Sequence, residues 1–323
     1  MSRLATALLT LLLAAPVHAG GVSLTWIGVA HMLMETPAGS ALLDAYVSRP
    51  PFSMLGPTAE GFALFRRIID AAKPKQPIRW IFVGHSHFDH ALDVGPLALE
   101  TGAQVIGSRT TCFVAEAQGL PAERCTAVAG GETLELGRLE VRVARIPHSG
   151  PNTIGRFDEL EAPPTTAIAA PNGGNLAFLF RLTKRSCATK LSWAYANSIA
   201  AIDADDGSGV DFTASWQAFA AGVDQPSAWF GPAFGGASLE PYLDVLRPRS
   251  FVPLHWGGLT SPIEGGIDVP FASPELDAIL AARDATLVVP AQYFDRINVG
   301  RRGAKRSENR RVKKALEVPP PPP

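Results

Sequence analysis

Cysteine is scarce in this sequence: three residues in 323, at positions 112, 125 and 187, with no CxxC pair among them. That excludes a disulfide-built scaffold and a cysteine-knuckle metal site, and the odd count leaves at least one thiol unpaired. An oxidising compartment would still permit one bridge, and Cys112 with Cys125 would close a short loop. Charge is scarce too. Charged residues make up 18% and the formal net charge is −1, so the whole chain points to neither nucleic acid nor a charged membrane as partner. No apolar run is long enough to span a bilayer; the stretch from Leu4 to Ala15 falls short. Nor is there an internal repeat, or a linker between Gly20 and Gly300.

What is present describes a globular protein with a sizeable core, 46% apolar. "MSRLATALLTLLLAAPVHAGG" has Arg3, an apolar run, the helix breaker Pro16 and the small-x-small site Val17-His18-Ala19. It predicts a secretory signal peptide over residues 1–19, with no cysteine at the cleavage site for lipid attachment. The mature protein is expected to be exported, periplasmic in a Gram-negative host or secreted. At the other end, residues 301–323 carry eight Lys/Arg against Glu308 and Glu317, a net +6 that leaves the rest at −7. With almost no apolar periodicity and a "PPPPP" end, this segment reads as a disordered basic tail; weak polyanion binding is the sharper alternative. Residues 20–300 between them read as one domain.

Within that domain, "VSLTWIGVAHMLMET" and "GSALLDAYV" predict two strands, and "AEGFALFRRIIDAA" a helix from Phe62, Phe65, Ile68 and Ile69. "IRWIFVGH" is an apolar strand. "GETLELGRLEVRVARIPHS" alternates as a hairpin, and a Pro/Gly-rich loop runs from Gly150 to Gly174. Strands and helices in alternation, with hairpins in both halves, predict an α/β or α+β layered fold.

Against this background "IFVGHSHFDHALD" stands out, with three of the seven histidines and an aspartate in six residues. Imidazole is the commonest neutral metal ligand. His85 and His87, two apart at a strand end, project to one side. As the chain turns toward a helix, Asp89 and His90 come to a neighbouring point. Mixed nitrogen and oxygen ligation of this kind suits zinc, one ion or two, with iron or manganese as alternative occupants. His148 and His255 each end an apolar strand and precede a small or glycine-containing loop, as a site along a sheet edge requires. His18 leaves with the leader. His31 reads first as a core histidine, with a substrate role left open by its place beside the first hairpin.

"HSHFDH", "IPHSG" and "VPLHWGG" together resemble the metallo-β-lactamase superfamily, and the opening "LTWIGVAHMLMETPAGSALLDAYVSRP" resembles its lactonase-like and phospholipase D-like branch. The resemblance covers roughly Val22 to Pro290 and implies a four-layer αββα sandwich with metals at one edge of two sheets. Matched residue by residue, it implies His85, His87 and His148 as ligands of a first metal, and Asp89, His90 and His255 of a second. The family's bridging aspartate is missing: the strand "KLSWAYANS" offers Asn197 and Ser198, with Asp203 a few residues beyond as a substitute. Lacking an anionic bridge, one cation is expected to bind firmly and the other weakly.

The chemistry implied is hydrolysis by a metal-bound hydroxide, with Asp89 orienting the attacking water and His90 beside it. Phe52, Met54, Leu55, Phe157, Phe234 and Trp256 are expected along the cleft. Of these Phe52 and Trp256, with His31, are the candidate substrate contacts. Few cations there favour a small, moderately apolar ester, lactone, amide or phosphodiester over nucleic acid. β-Lactam hydrolysis, a metal-binding scaffold with little catalysis, and a di-iron oxidoreductase are the alternatives. The last has against it the missing bridging acid and the absence of a flavin-binding domain.

Overall fold

The computed structural model describes residues 21–51, 56–150, 155–164, 170–184 and 187–321. The predicted leader lies outside the described residues, as does Phe52 with Met54 and Leu55. The first sheet opens with three antiparallel strands, β1 (Val22–Gly28), β2 (His31–Thr36) and β3 (Gly39–Leu43). Sequence pattern predicts two strands here. Three form because Gly28 and Val29, at φ 135° and 53°, turn the chain between β1 and β2.

Helices then feed parallel strands: α1 (Ala59–Ala72), β4 (Ile78–Phe82), α2 (Phe88–Ala91), α3 (Val94–Thr101), β5 (Gln104–Gly107), α4 (Arg109–Ala117) and β6 (Cys125–Ala127). α1 occupies the segment its helical spacing predicts. The Thr58 hydroxyl caps it, accepting from the Gly61 N–H at 3.0 Å, and Leu64, Phe65, Ile68 and Ala72 face inward. Cys112 on α4 and Cys125 at the start of β6 are joined by a disulfide, Cα atoms 5.5 Å apart.

The second sheet takes β7 (Thr133–Leu136), β8 (Leu139–Arg145), β9 (Leu176–Lys184) and β10 (Cys187–Ala196) antiparallel, then β11 (Ala228–Pro232), β12 (Ser250–Leu254) and β13 (Thr286–Leu287) parallel. Its connections carry α5 (Phe212–Ala220), α6 (Glu240–Leu246) and α7 (Pro274–Ala281). Side-chain alternation divides its strands between two cores. Phe178, Phe180 and Leu182 of β9 point into the space between the sheets, where Phe82 of β4 meets the two rings at 5.4 and 5.1 Å. Ala177 and Leu179 point the other way, under Trp216, Leu243 and Leu280 of the covering helices. With α1 and α3 against the first sheet, the layers run α, β, β, α, as the resemblance implies.

The chain end differs from expectation. Residues 301–323 are predicted to be a disordered tail, but β14 (Asp295–Gly300) and β15 (Gly303–Glu308) form a hairpin on the free side of β1, followed by α8 (Arg310–Ala315). The first sheet thus reads β15-β14-β1-β2-β3-β4-β5-β6, and the second β13-β12-β11-β10-β9-β8-β7. Two apolar residues suffice to dock α8: Val312 and Leu316, one turn apart, are buried in the main core, and α8 rests on α1. Lys313 reaches the buried carboxylate of Asp295 at 2.5 Å. The remaining cations face outward, which hides this stripe from composition. No helix among the described residues is long and apolar enough to cross a membrane.

Candidate metal centre

Each predicted ligand begins where a strand stops. β4 ends at Phe82, and the turn Val83–Gly84 delivers His85. β8 ends at Arg145, three residues before His148, and β12 ends at Leu254, immediately before His255. Gly84 is required here: a Cβ on it would lie 2.4 Å from the Asn197 side chain. The His255 N–H donates to the Val29 carbonyl at 2.8 Å, and a Val29–Trp256 bridge ties the end of β12 to the end of β1. This holds His255 at φ 64°, a left-handed conformation that side-chain-bearing residues seldom adopt.

The structure brings six residues together. His85, His87 and His148 each offer a ring nitrogen, all within 4.8 Å of one another, as do His85, Asp89 and His90 with their ligand atoms. His85 Nε2 and His148 Nε2 are 3.0 Å apart. On the other side Asp89 Oδ2 lies 2.9 Å from His255 Nε2 and 3.1 Å from His90 Nε2. His85, Asp89 and His90 are buried, the other three half-buried.

Electrostatics suit cation binding on the first face. Burial, then the neighbouring His90, His148 and His87, hold His85 well below the usual imidazole range. Burial lowers His87 to about 4 and His148 to about 3. Their lone pairs therefore stay available for coordination at neutral pH. Burial pushes Asp89 up, but His90 and His255 outweigh it and keep the carboxyl well below its ordinary value. His90 is the exception: burial pulls it down, yet Asp89 and Asp44 prevail and raise it to about 10. A cation at Nε2 would replace that proton while Nδ1–H still donates to Asp44 at 2.5 Å. Three closely spaced neutral imidazoles beside an imidazole–carboxylate cluster fit one or two transition-metal ions.

Asp44 is a site residue that sequence reasoning misses. It follows β3 immediately, sits at φ 56° and is fully buried. Besides His90, it accepts from Tyr195 O–H at 2.5 Å, Asn197 Nδ2 at 2.9 Å and the Gly84 N–H at 2.9 Å. The signal available was a carboxylate closing an apolar strand in "ALLDAYV", parallel to the histidines that close theirs.

Several predicted roles need correction. Asn197 is not among the converging ligand atoms, because its amide stands behind the imidazoles, at their Nδ1 side. Asp203 is exposed on the loop beyond: β10 ends at Ala196, and Ala200 N–H turns to the Pro147 carbonyl, carrying residue 203 outward. Ser198 instead braces the loop after His148, its Oγ accepting from the Ser149 N–H at 3.1 Å. His31 is 0% exposed, a core histidine rather than a substrate contact on the surface of a cleft; the Tyr46 N–H donates to its Nδ1 at 3.3 Å. Trp256 is buried too, stacked on Trp26 at 4.8 Å.

A cleft of about 290 Å³ opens beside His148, with Arg156, Asp205 and Asp206 on its walls. Its polarity departs from the apolar lining expected. Phe157 stacks over Arg145 (4.4 Å), which pairs with Asp206 at 3.5 Å, so this aromatic anchors the wall. Phe234 does not line this cleft; it stands by His255, 62% exposed, with its ring 6.2 Å from the imidazole.

No protein-family model matches the chain. It is similar to a UPF0173 metal-dependent hydrolase of Chloroflexus aurantiacus, 30% identical over 129 residues, 40% of this chain and 48% of the relative. A second, of Anaeromyxobacter, is 28% identical over 167 residues, 50% of this chain and 52% of the relative. The chain spans about half the length of these curated relatives. Among solved structures it is similar to Igni18, a metallo hydrolase from the archaeon Ignicoccus hospitalis, with a TM-score of 0.55 and 16% identity over 86% of this chain and 98% of that one. Two face-to-face sheets covered by helices, with a histidine-rich turn at their shared edge, give this chain the fold of that metallo hydrolase, the four-layer αββα arrangement that the metallo-β-lactamase resemblance implies.

Proposed function

We propose that the chain is an exported, metal-dependent hydrolase of a small ester, lactone, amide or phosphodiester. One observation carries this reading: His148 and His255, 63 and 165 residues from the turn, bring ring nitrogens within 3.0 and 3.2 Å of those of His85 and His90. The name of the relatives, metal-dependent hydrolase, points the same way. Zinc suits this donor set best, and when bound it lowers the pKa of a water from 15.7 to roughly 7 and polarises a carbonyl or phosphoryl oxygen.

The protein's own residues supply the rest. His85, His87 and His148 remain neutral and oriented through burial and contact with one another. Asp89, buried and kept ionised in the second cluster, would accept a hydrogen bond from the attacking water and pass its proton toward the leaving group. Phe234 offers an apolar face and the cleft at Arg156 a polar one, room for a small molecule. The Cys112–Cys125 bridge supports passage through an oxidising compartment, in keeping with the leader predicted at residues 1–19.

Metal analysis paired with a panel of model esters, lactones, amides, phosphodiesters and β-lactams tests the reading. The expected result is one to two transition-metal ions per chain and turnover of at least one substrate. His87→Ala should lose the first ion and all measurable turnover while keeping its far-UV circular dichroism. Full activity in metal-free protein, or unchanged metal content in His87→Ala, overturns it.

A further inference from the structure

We infer that Asn197 is a positioning residue that clamps two ligand imidazoles from behind, and is not a weakened remnant of a metal-bridging acid. The inference rests on the metal reading above and specifies how this chain tunes that centre.

Asn197 stands directly after β10 and is fully buried. Its Oδ1 accepts from His85 Nδ1–H at 3.0 Å. Its Nδ2 donates to Asp44 Oδ2 at 2.9 Å and lies 3.0 Å from His90 Nδ1. The atoms that converge at the front are different ones: His85 Nε2 toward His148, and His90 Nε2 toward Asp89. The amide therefore contacts the rear nitrogen of each ring. A hydrogen bond at the rear nitrogen fixes which nitrogen carries the proton and leaves the other free for a cation. Asn197 does this directly for His85, and through Asp44 for His90.

Residue chemistry explains why an amide stands here. Asp44 only accepts, so its neighbour must donate; His85 Nδ1–H only donates, so its neighbour must accept. An amide meets both demands with one side chain. An aspartate at 197 would face Asp44 across 2.9 Å in a buried place, two like charges with no proton between them. The Gly84 backbone packs so closely on this amide that a Cβ added there would lie 2.4 Å from it. Among the described residues Asp89 is then the one carboxylate in the converging ligand groups, and no second carboxylate bridges the two faces.

The test uses the full chain with zinc, and cobalt(II) as a spectroscopic probe. If Asn197 were a degraded bridge, Asn197→Asp would create a second tight site. The clamp predicts the reverse: Asn197→Asp binds the first zinc about 10- to 100-fold more weakly, gains no second tight zinc and melts lower when metal-free. Asn197→Ala removes the clamp without adding charge, so it remains decisive if the Asp variant fails to fold. It should also lose zinc affinity and shift the cobalt(II) absorption. Two tightly held zinc ions in Asn197→Asp overturns the proposal, as does wild-type affinity and spectrum in Asn197→Ala. A wild-type chain that takes up no zinc sinks the metal reading and the clamp together, a failure visible in wild type alone.

Discussion

Asp44 is one carboxylate serving four donors: His90, Tyr195, Asn197 and the Gly84 N–H. Asp44→Ala strands all of them in a site without solvent and should cost about 3–5 kcal/mol in urea unfolding. The same variant should weaken zinc binding about 10- to 100-fold in equilibrium dialysis, because His90 loses its orienting partner. His31 gives a separate pH effect. Burial lowers it to about 4 from an unfolded value of 6.5, so its unfolded form takes up protons first as pH falls. Stability is fully present above pH 6.5 and is lost as pH falls toward 4, with about 2–3 kcal/mol gone by pH 4.5. Urea unfolding at pH 7 and 4.5 should show that much less acid loss in His31→Asn than in wild type; equal loss removes His31 as the cause. Residue chemistry was legible where motif spacing spoke, at residues 85 to 90. It was not legible for His31, since a lone histidine looks the same whether it faces a cleft or a core.

Two elements set the limits of pattern reading. α1 was readable because its apolar residues recur every three to four positions over fourteen residues. α8 was not, because its six residues and the Leu316 that caps them give one apolar stripe, Val312 and Leu316, among cations that composition assigns to solvent. Val312→Asp should therefore lower stability by about 3 kcal/mol or more, placing an unpaired carboxylate in the main core. A thermal melt within a degree of wild type would mean the helix is not docked. The Cys112–Cys125 bridge spans 13 positions, so it constrains the unfolded chain by about 3 kcal/mol. Cys112→Ser/Cys125→Ser should unfold at correspondingly lower guanidinium, and wild type should match it once reduced.

The centre draws on both halves of the molecule: His85 to His90 follow a strand of the first sheet, and His148 and His255 follow strands of the second. A cation held there links the two sheets, and only in the folded chain. Zinc at a hundredfold excess over its Kd should add about 2.7 kcal/mol, and a chelator should lower the melting temperature by the matching amount. Calorimetry with and without chelator checks this; identical traces remove the link. This convergence was inferable from strand-ending histidines, whereas the carboxylate behind them offered only its place at a strand end. Asp44 has no motif, and its partners Tyr195 and Asn197 lie some 150 residues away.

β15 is the outermost strand of the larger sheet, and Lys305 and Arg306 on it are exposed. Shorn of that strand at Gly300, each molecule would offer the bare amide row of β14 to its neighbours and gain a template for edge-to-edge association. The cationic hairpin thus seals this border of the larger sheet, where Lys305 and Arg306 of one copy would repel those of another.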